Sequence, residues 1–216
     1  MTRPLLLGHR GARAPRNIPE NTLASFELCL QHGCDGFEFD LRRSADGKAV
    51  VCHDPTILGV AIAKTPAAVL AVPTLGDVLR LFGGRAFLDI ELKVSGLEAE
   101  AIALLRGHSP QKGYVVSSFK AEVLTAIHGC DPTIPLGFIC DRRNEIDRWR
   151  ELPVAWVIPQ YELVDQTLIE QVRASGKKVM VWTVNREDEI RTFAEREADA
   201  VITDETELAK RADFLK

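Results

Sequence analysis

The feature that most constrains this chain is a rhythm. From residue 87 onward, short apolar runs alternate with helix-period segments. Phe87–Leu92, Tyr114–Ser118, Ile134–Ile139, Val154–Ile158, Lys178–Thr183 and Ala200–Thr203 read as strands. Helical segments follow them at Leu97–Leu105, Lys120–His128, near Asn144–Trp149, and at Asp165–Ala174, Glu187–Glu195 and Glu205–Phe214. Short apolar strands alternating with helices predict a parallel sheet. Two further units precede them: Leu5-Leu6-Leu7 before a helix capped at Asn21 or Thr22, and Gly36–Arg42 before a helix capped at Thr74. Eight units in 216 residues predict closure into a (β/α)8 TIM barrel, a single α/β domain over residues 1–216. An open doubly wound sheet would want a glycine-rich phosphate turn after the first strand. Gly8-His9-Arg10-Gly11 is not one.

Two interruptions stand out. Asp46-Gly47 is a hairpin signal, so Ala49–Cys52 should return as a strand and deliver His53-Asp54. Pro55–Pro73 has no clean period and reads as a short excursion after the second strand, with about one helical turn.

Bulk properties exclude several classes. The net charge is -4, with no basic tract, so there is no electrostatic footprint for nucleic acid. No apolar run is long enough to span a membrane, and the N-terminal apolar stretch is too short for a signal peptide. Five cysteines without a C-x-x-C pair read as reduced thiols, which predicts a cytoplasmic protein.

The chemistry should lie at the carboxyl ends of the strands. Phe37-Glu38-Phe39-Asp40-Leu41 alternates apolar and acidic, so Glu38 and Asp40 share one face. Glu91-Leu92-Lys93 repeats that alternation. If the shared face is the barrel interior, Glu38, Asp40 and Glu91 converge and call for a cation, with Asp89 one layer deeper. An all-oxygen set suits Mg²⁺ or Ca²⁺ better than Zn²⁺. His9 and His53 end neighbouring strands and suit proton transfer. Arg10 and Lys93 offer charge to an anion, and Trp182 an apolar wall. His32, His108 and His128, near helix ends, read as surface residues.

Taken together, His9-Arg10-Gly11, Pro19-Glu20-Asn21-Thr22, Glu38-Phe39-Asp40, His53-Asp54, Glu91-Leu92-Lys93, Trp182-Thr183-Val184-Asn185 and Ile202-Thr203-Asp204 resemble the glycerophosphodiester phosphodiesterase family, in family order. The resemblance implies a TIM barrel that hydrolyses a small-molecule phosphodiester to an alcohol and glycerol 3-phosphate. It implies one divalent cation on Glu38, Asp40 and Glu91, and His9 and His53 as general base and general acid. It implies phosphoryl contacts from Arg10 and Lys93, and cleft positions for Phe119 and Trp182. Glu20 is implied near the metal, as a ligand or a supporting group. Family members attack phosphorus first with the neighbouring glycerol hydroxyl. They also carry a longer insertion after the His-Asp pair, with an Arg-Thr-Thr stretch that this chain lacks, which leaves the leaving alcohol open. Two alternatives remain: the same chemistry on lysophospholipids, and a non-catalytic barrel that binds phosphorylated ligands.

Overall fold

The computed structural model describes residues 3–14 and 17–215. Met1, Thr2, Pro15, Arg16 and Lys216, which the readings of the N-terminal stretch, the proline-containing loop and the domain span take in, lie outside the described residues.

Eight strands form a closed parallel barrel: β1 (Leu5–Gly8), β2 (Gly36–Arg43), β3 (Phe87–Leu92), β4 (Tyr114–Ser118), β5 (Leu136–Cys140), β6 (Trp156–Pro159), β7 (Lys178–Val181) and β8 (Ala200–Thr203). β1 pairs with both β8 and β2, which closes the ring. The Asp46-Gly47 turn returns the chain as an antiparallel strand, Ala49–Val51, on the far end of β2.

The helices are α1 (Leu23–Gln31), α2 (Ala67–Leu70), α3 (Leu75–Phe82), α4 (Glu98–Gly107), α5 (Ala121–Cys130), α6 (Gln166–Ala174) and α7 (Glu187–Glu195). Of the two residues expected to open α1, Thr22 is the cap: its hydroxyl accepts from the Ser25 amide, and Ser25 Oγ accepts from the Thr22 amide. Thr74 and Asp77 cap α3 in the same way.

The expected elements near Asn144–Trp149 and at Glu205–Phe214 are 3₁₀ turns rather than α-helices, at Ile146–Arg150 and Thr206–Leu215. The first has only Ile146 and Trp149 as apolar anchors, too few for an α-helical stripe. The excursion holds more than one helical turn. It contains a two-stranded hairpin (Thr56–Ile57 with Val60–Ala61), a 3₁₀ turn at Ile62–Lys64 and α2.

The barrel has two cores, and strand parity separates them. Phe37, Phe39 and Leu41 face the helices, where Phe37 stacks on Phe26 of α1 at 4.2 Å between ring centroids. The interior holds Leu7, Phe87, Val115, Ile139, Trp156, Ile158, Met180, Ala200 and Ile202. Three interior rows continue upward by steps of two into ionisable residues. Leu7 leads to His9, Phe87 to Asp89, Glu91 and Lys93, and Ile202 to Asp204. The interior is therefore apolar at the bottom and ionisable at the carboxyl end.

β2 and β3 can register only because Gly36 has no side chain. A Cβ there would meet the Phe87 carbonyl oxygen at 1.8 Å. This register sets Glu38 level with Asp89 and Asp40 level with Glu91.

Candidate active site

Glu38, Asp40 and Glu91 converge as parity requires. One carboxylate oxygen from each lies within 4.8 Å of the others, and all three residues are buried. The cluster could hold a metal ion. Its donors are all carboxylate oxygens, the set a hard divalent cation takes. Glu38 Oε1 is buried without a hydrogen-bond partner, so the cluster has unused ligand capacity.

The charge state of the cluster follows from its surroundings. Burial, with Asp40, Glu91 and Asp89 beside it, pushes the Glu38 carboxyl well above the usual range. Burial raises Glu91 to about 8, against the pull of Lys93. Asp40 behaves differently. Burial raises it, but Lys93, Arg10 and Asn21 outweigh that and hold it below its ordinary value. Lys93 Nζ lies 2.8 Å from Glu91 and 3.2 Å from Asp40. Asp89, beneath them, accepts from Ser117 Oγ, and burial lifts its carboxyl to about 7.

Two residues beside the cluster have left-handed backbones, Arg10 (φ 55°) and Asn21 (φ 57°). In that conformation the Arg10 amide donates to Glu38 Oε2 at 3.0 Å. Asn21, buried, donates from Nδ2 to Asp40 Oδ2 at 2.8 Å, and its Oδ1 accepts from the Asp40 amide. Gly11 follows with φ 83°, and a Cβ there would strike Ser25 Oγ at 2.5 Å.

His9 and His53 each have one ring nitrogen tied to a carboxylate. His9 Nδ1 donates to Asp204 Oδ1 at 2.8 Å, and its Nε2 lies 3.9 Å from Glu38 Oε2. His53 Nδ1 donates to Asp54 Oδ1 at 2.8 Å. Burial lowers the His53 pKa, with Asp40 and Asp54 acting in the opposite sense. Asp204 also accepts from Asn185 and Arg13. Burial raises its carboxyl, but His9, Asn185 and Arg13 more than offset this and hold it well below the ordinary value.

A cleft of about 120 Å³ gathers these groups. His9, Arg10, Glu38, His53, Glu91, Lys93, Phe119 and Trp182 all line it. Phe119 and Trp182 meet edge to face at 5.7 Å, and Trp182 Nε1 donates to the Ile158 carbonyl. Lys93 Nζ sits 5.7 Å over the Phe119 ring. Glu20 stands outside the carboxylate cluster. It accepts from Arg10 Nη1 at 2.7 Å and Arg13 Nε at 2.6 Å, so it reaches the site through Arg10.

One histidine departs from expectation. His32 is buried rather than on the surface, because its Nδ1 shares a hydrogen bond with Thr206 Oγ1 at 2.8 Å where the last segment packs over α1. His108 and His128 are exposed. Four residues quoted in the motifs but given no part in the chemistry brace the site: Asn21, Asp54, Asn185 and Asp204. Parity was the available signal for Asp204, two residues beyond the interior Ile202.

An acidic cluster flanked by two carboxylate-anchored histidines thus stands at the carboxyl end of a closed α/β barrel. The chain belongs to the glycerophosphoryl diester phosphodiesterase family, whose model matches residues 9–81 and 63–208. It is an enzyme with glycerophosphodiester phosphodiesterase activity. It is 27% identical to the glycerophosphodiester phosphodiesterase of Caldanaerobacter subterraneus, over 94% of this chain and 95% of the relative. The corresponding enzyme of Bacillus subtilis is 26% identical, over 95% of this chain and 85% of its own length. Among solved structures, an Oleispira antarctica phosphodiesterase in complex with the product sn-glycerol-3-phosphate superposes with a TM-score of 0.85 at 28% identity, covering 98% of this chain and 97% of that one. Among the described residues, no helix is long and apolar enough to cross a membrane.

Proposed function

We propose that this single domain hydrolyses glycerophosphodiesters to an alcohol and glycerol 3-phosphate, with a divalent cation, Mg²⁺ or Ca²⁺, held by Glu38, Asp40 and Glu91. The observation that carries the reading is the pair of histidines on either side of the carboxylates, each tied through Nδ1 to a carboxylate. When bound, the cation supplies positive charge to the phosphoryl oxygens and lowers the pKa of a nearby hydroxyl.

A carboxylate can only accept, so Asp204 fixes the His9 proton on Nδ1 and leaves Nε2 as a lone pair on the cleft side. His9 Nε2 takes the proton of the glycerol hydroxyl next to the phosphodiester as that oxygen attacks phosphorus. The bond to the leaving alcohol breaks, and His53, entering as the imidazolium with Nδ1–H on Asp54, delivers its Nε2 proton to the departing oxygen. A cyclic phosphate results. Water then opens it, with His53 accepting the water proton and His9 returning its own to the glycerol oxygen. Both residues end as they began. Arg10 and Lys93 hold the phosphoryl oxygens, and Phe119 and Trp182 wall the organic part.

The test is glycerol 3-phosphate release from a glycerophosphodiester with and without EDTA. Full release in EDTA sinks the metal assignment. Replacing His9 or His53 by Ala should cost roughly 10²–10⁴ in turnover with cation binding kept. The absence of turnover with every divalent cation would support instead a barrel that only binds phosphorylated ligands. One observation favours a second substrate class: Leu58, at the tip of the excursion hairpin, is wholly exposed, and Val60 and Val69 are also exposed. An acyl chain of a lysophospholipid could cover them. Faster turnover of lysophosphatidylcholine than of glycerophosphocholine, lost in Leu58→Ser, supports that reading.

A further inference from the structure

A second opening, of about 230 Å³, lies beside the cleft between the end of β2, the β3–α4 loop and the excursion. Its charged lining is Arg42 and Arg43. Arg42 continues the interior row of Glu38 and Asp40 by one more step of two, onto the rim of the barrel.

These two arginines stand apart in their pairing. Arg3, Arg10, Arg13, Arg85 and Arg106 all meet carboxylates. Arg42 spends only its Nε, on the His53 carbonyl at 2.6 Å, and makes no ion pair among the described residues. Arg43 makes neither a hydrogen bond nor an ion pair among them, and it is exposed. The acids around them are engaged elsewhere: the Arg42 charge helps to lower the Asp54 carboxyl, but Asp54 is exposed and its Oδ1 accepts from His53 Nδ1. Asp46 accepts from Ser44 Oγ and the Ala67 amide, and Glu98 from the Gly96 amide.

Two arginines without an ion pair, both lining one cavity, attract one ligand chemistry, an oxyanion. The opening also has a side. Arg42 grips the backbone of His53, and Pro55, two residues on, lines the same wall. An occupant therefore sits against the residue that protonates the leaving alcohol. We propose that this opening is a subsite for a negatively charged group, a phosphate monoester or a carboxylate, carried by the leaving alcohol. This rests on the phosphodiesterase reading and on the role of His53 in it.

The test uses three matched glycerophosphodiesters whose leaving alcohols are butanediol, hydroxybutanoate and butanediol monophosphate. Glycerol 3-phosphate release should show kcat/KM about tenfold higher for the charged diesters, the scale of one hydrogen bond to a charged group. The larger of the two charged values tells which oxyanion the subsite takes. Arg43→Gln should bring the ratio of charged to uncharged substrate toward one. In a binding experiment without turnover, butanediol monophosphate should bind about tenfold more weakly to Arg43→Gln. A wild-type enzyme without preference, a loss equal on all three diesters, or unchanged monophosphate affinity overturns the subsite. If no diester is turned over, the phosphodiesterase reading falls, and the monophosphate comparison still decides the subsite.

Discussion

Replacing Asp204 by Asn tests how His9 is made into a base. The substitution keeps shape and volume but removes charge and half of the accepting capacity. Asp204 Oδ1 receives His9 Nδ1 at 2.8 Å and Arg13 Nη1 at 3.2 Å, while Oδ2 receives Asn185 Nδ2 at 3.1 Å. All three partners donate, and an amide can accept on one side only. If the amide oxygen turns to His9, the amide NH₂ faces the Asn185 donor. If it turns to Asn185, the NH₂ faces His9 Nδ1 and drives the ring proton to Nε2, where a base is needed. The loss of charge alone removes a charge-assisted bond worth roughly 1.5–3 kcal/mol when the imidazolium forms, about 10- to 100-fold in rate. A reversed tautomer extends the loss to about 10⁴-fold, as in hydrolytic triads of unrelated enzymes. Steady-state release of glycerol 3-phosphate should show a fall in kcat of roughly 10²–10⁴. Cation titration followed by thermal shift should be unchanged, because Asp204 makes no hydrogen bond to Glu38, Asp40 or Glu91. The double variant with His9→Ala should be no slower than His9→Ala alone. A wild-type kcat in Asp204→Asn, or additive losses, refutes the orienting role.

Three further outcomes are expected. In metal-free protein, Glu91 titrates near 8 rather than 4.5, and Glu38 and Asp89 are raised as well. Groups raised in the fold stabilise it fully below the unfolded value and lose that contribution as pH rises through the folded value. Melting temperature without metal should therefore fall between about pH 5 and pH 8, opposed by the lowered His53 and His32. Saturating Mg²⁺ or Ca²⁺ should flatten the fall and release protons in calorimetry across buffers, whereas a flat metal-free profile contradicts the burial argument. Asn21→Ala leaves Asp40 short of a buried donor and should cost about 1–3 kcal/mol in urea unfolding, with weaker cation stabilisation; unchanged values for both would dismiss the bracing role. Gly36→Ala forces the Phe87 carbonyl away from β2 and should cost about 3 kcal/mol, read from the same unfolding curves; a neutral substitution would show that the two strands can part freely.

The barrel was legible because its evidence is periodic and local. Interior parity at Glu38, Asp40, Glu91 and Lys93 follows from counting by two, and the caps at Thr22 and Thr74 follow from neighbours three residues on. The remainder depends on contacts far apart in the chain. Asp204 reaches His9 across 195 residues, and His32 is covered by Thr206 across 174. Neither pairing leaves a local pattern. The excursion was illegible for another reason: its elements are two to four residues long, shorter than the window in which either period can be recognised. Arg42 lay within reach of the same parity count, since it follows Asp40 by two.

The closure of β1 against β8 also sets an order of assembly. The carboxylate cluster comes from β2 and β3, both complete by residue 92, and their pairing does not wait for the later strands. The histidine beside it is made early but aligned late, because its partner emerges only after the last barrel strand. In chain order the carboxylates are therefore all present while most of the ring is still to come, whereas the His9–Asp204 bond waits for the two ends of the ring to meet.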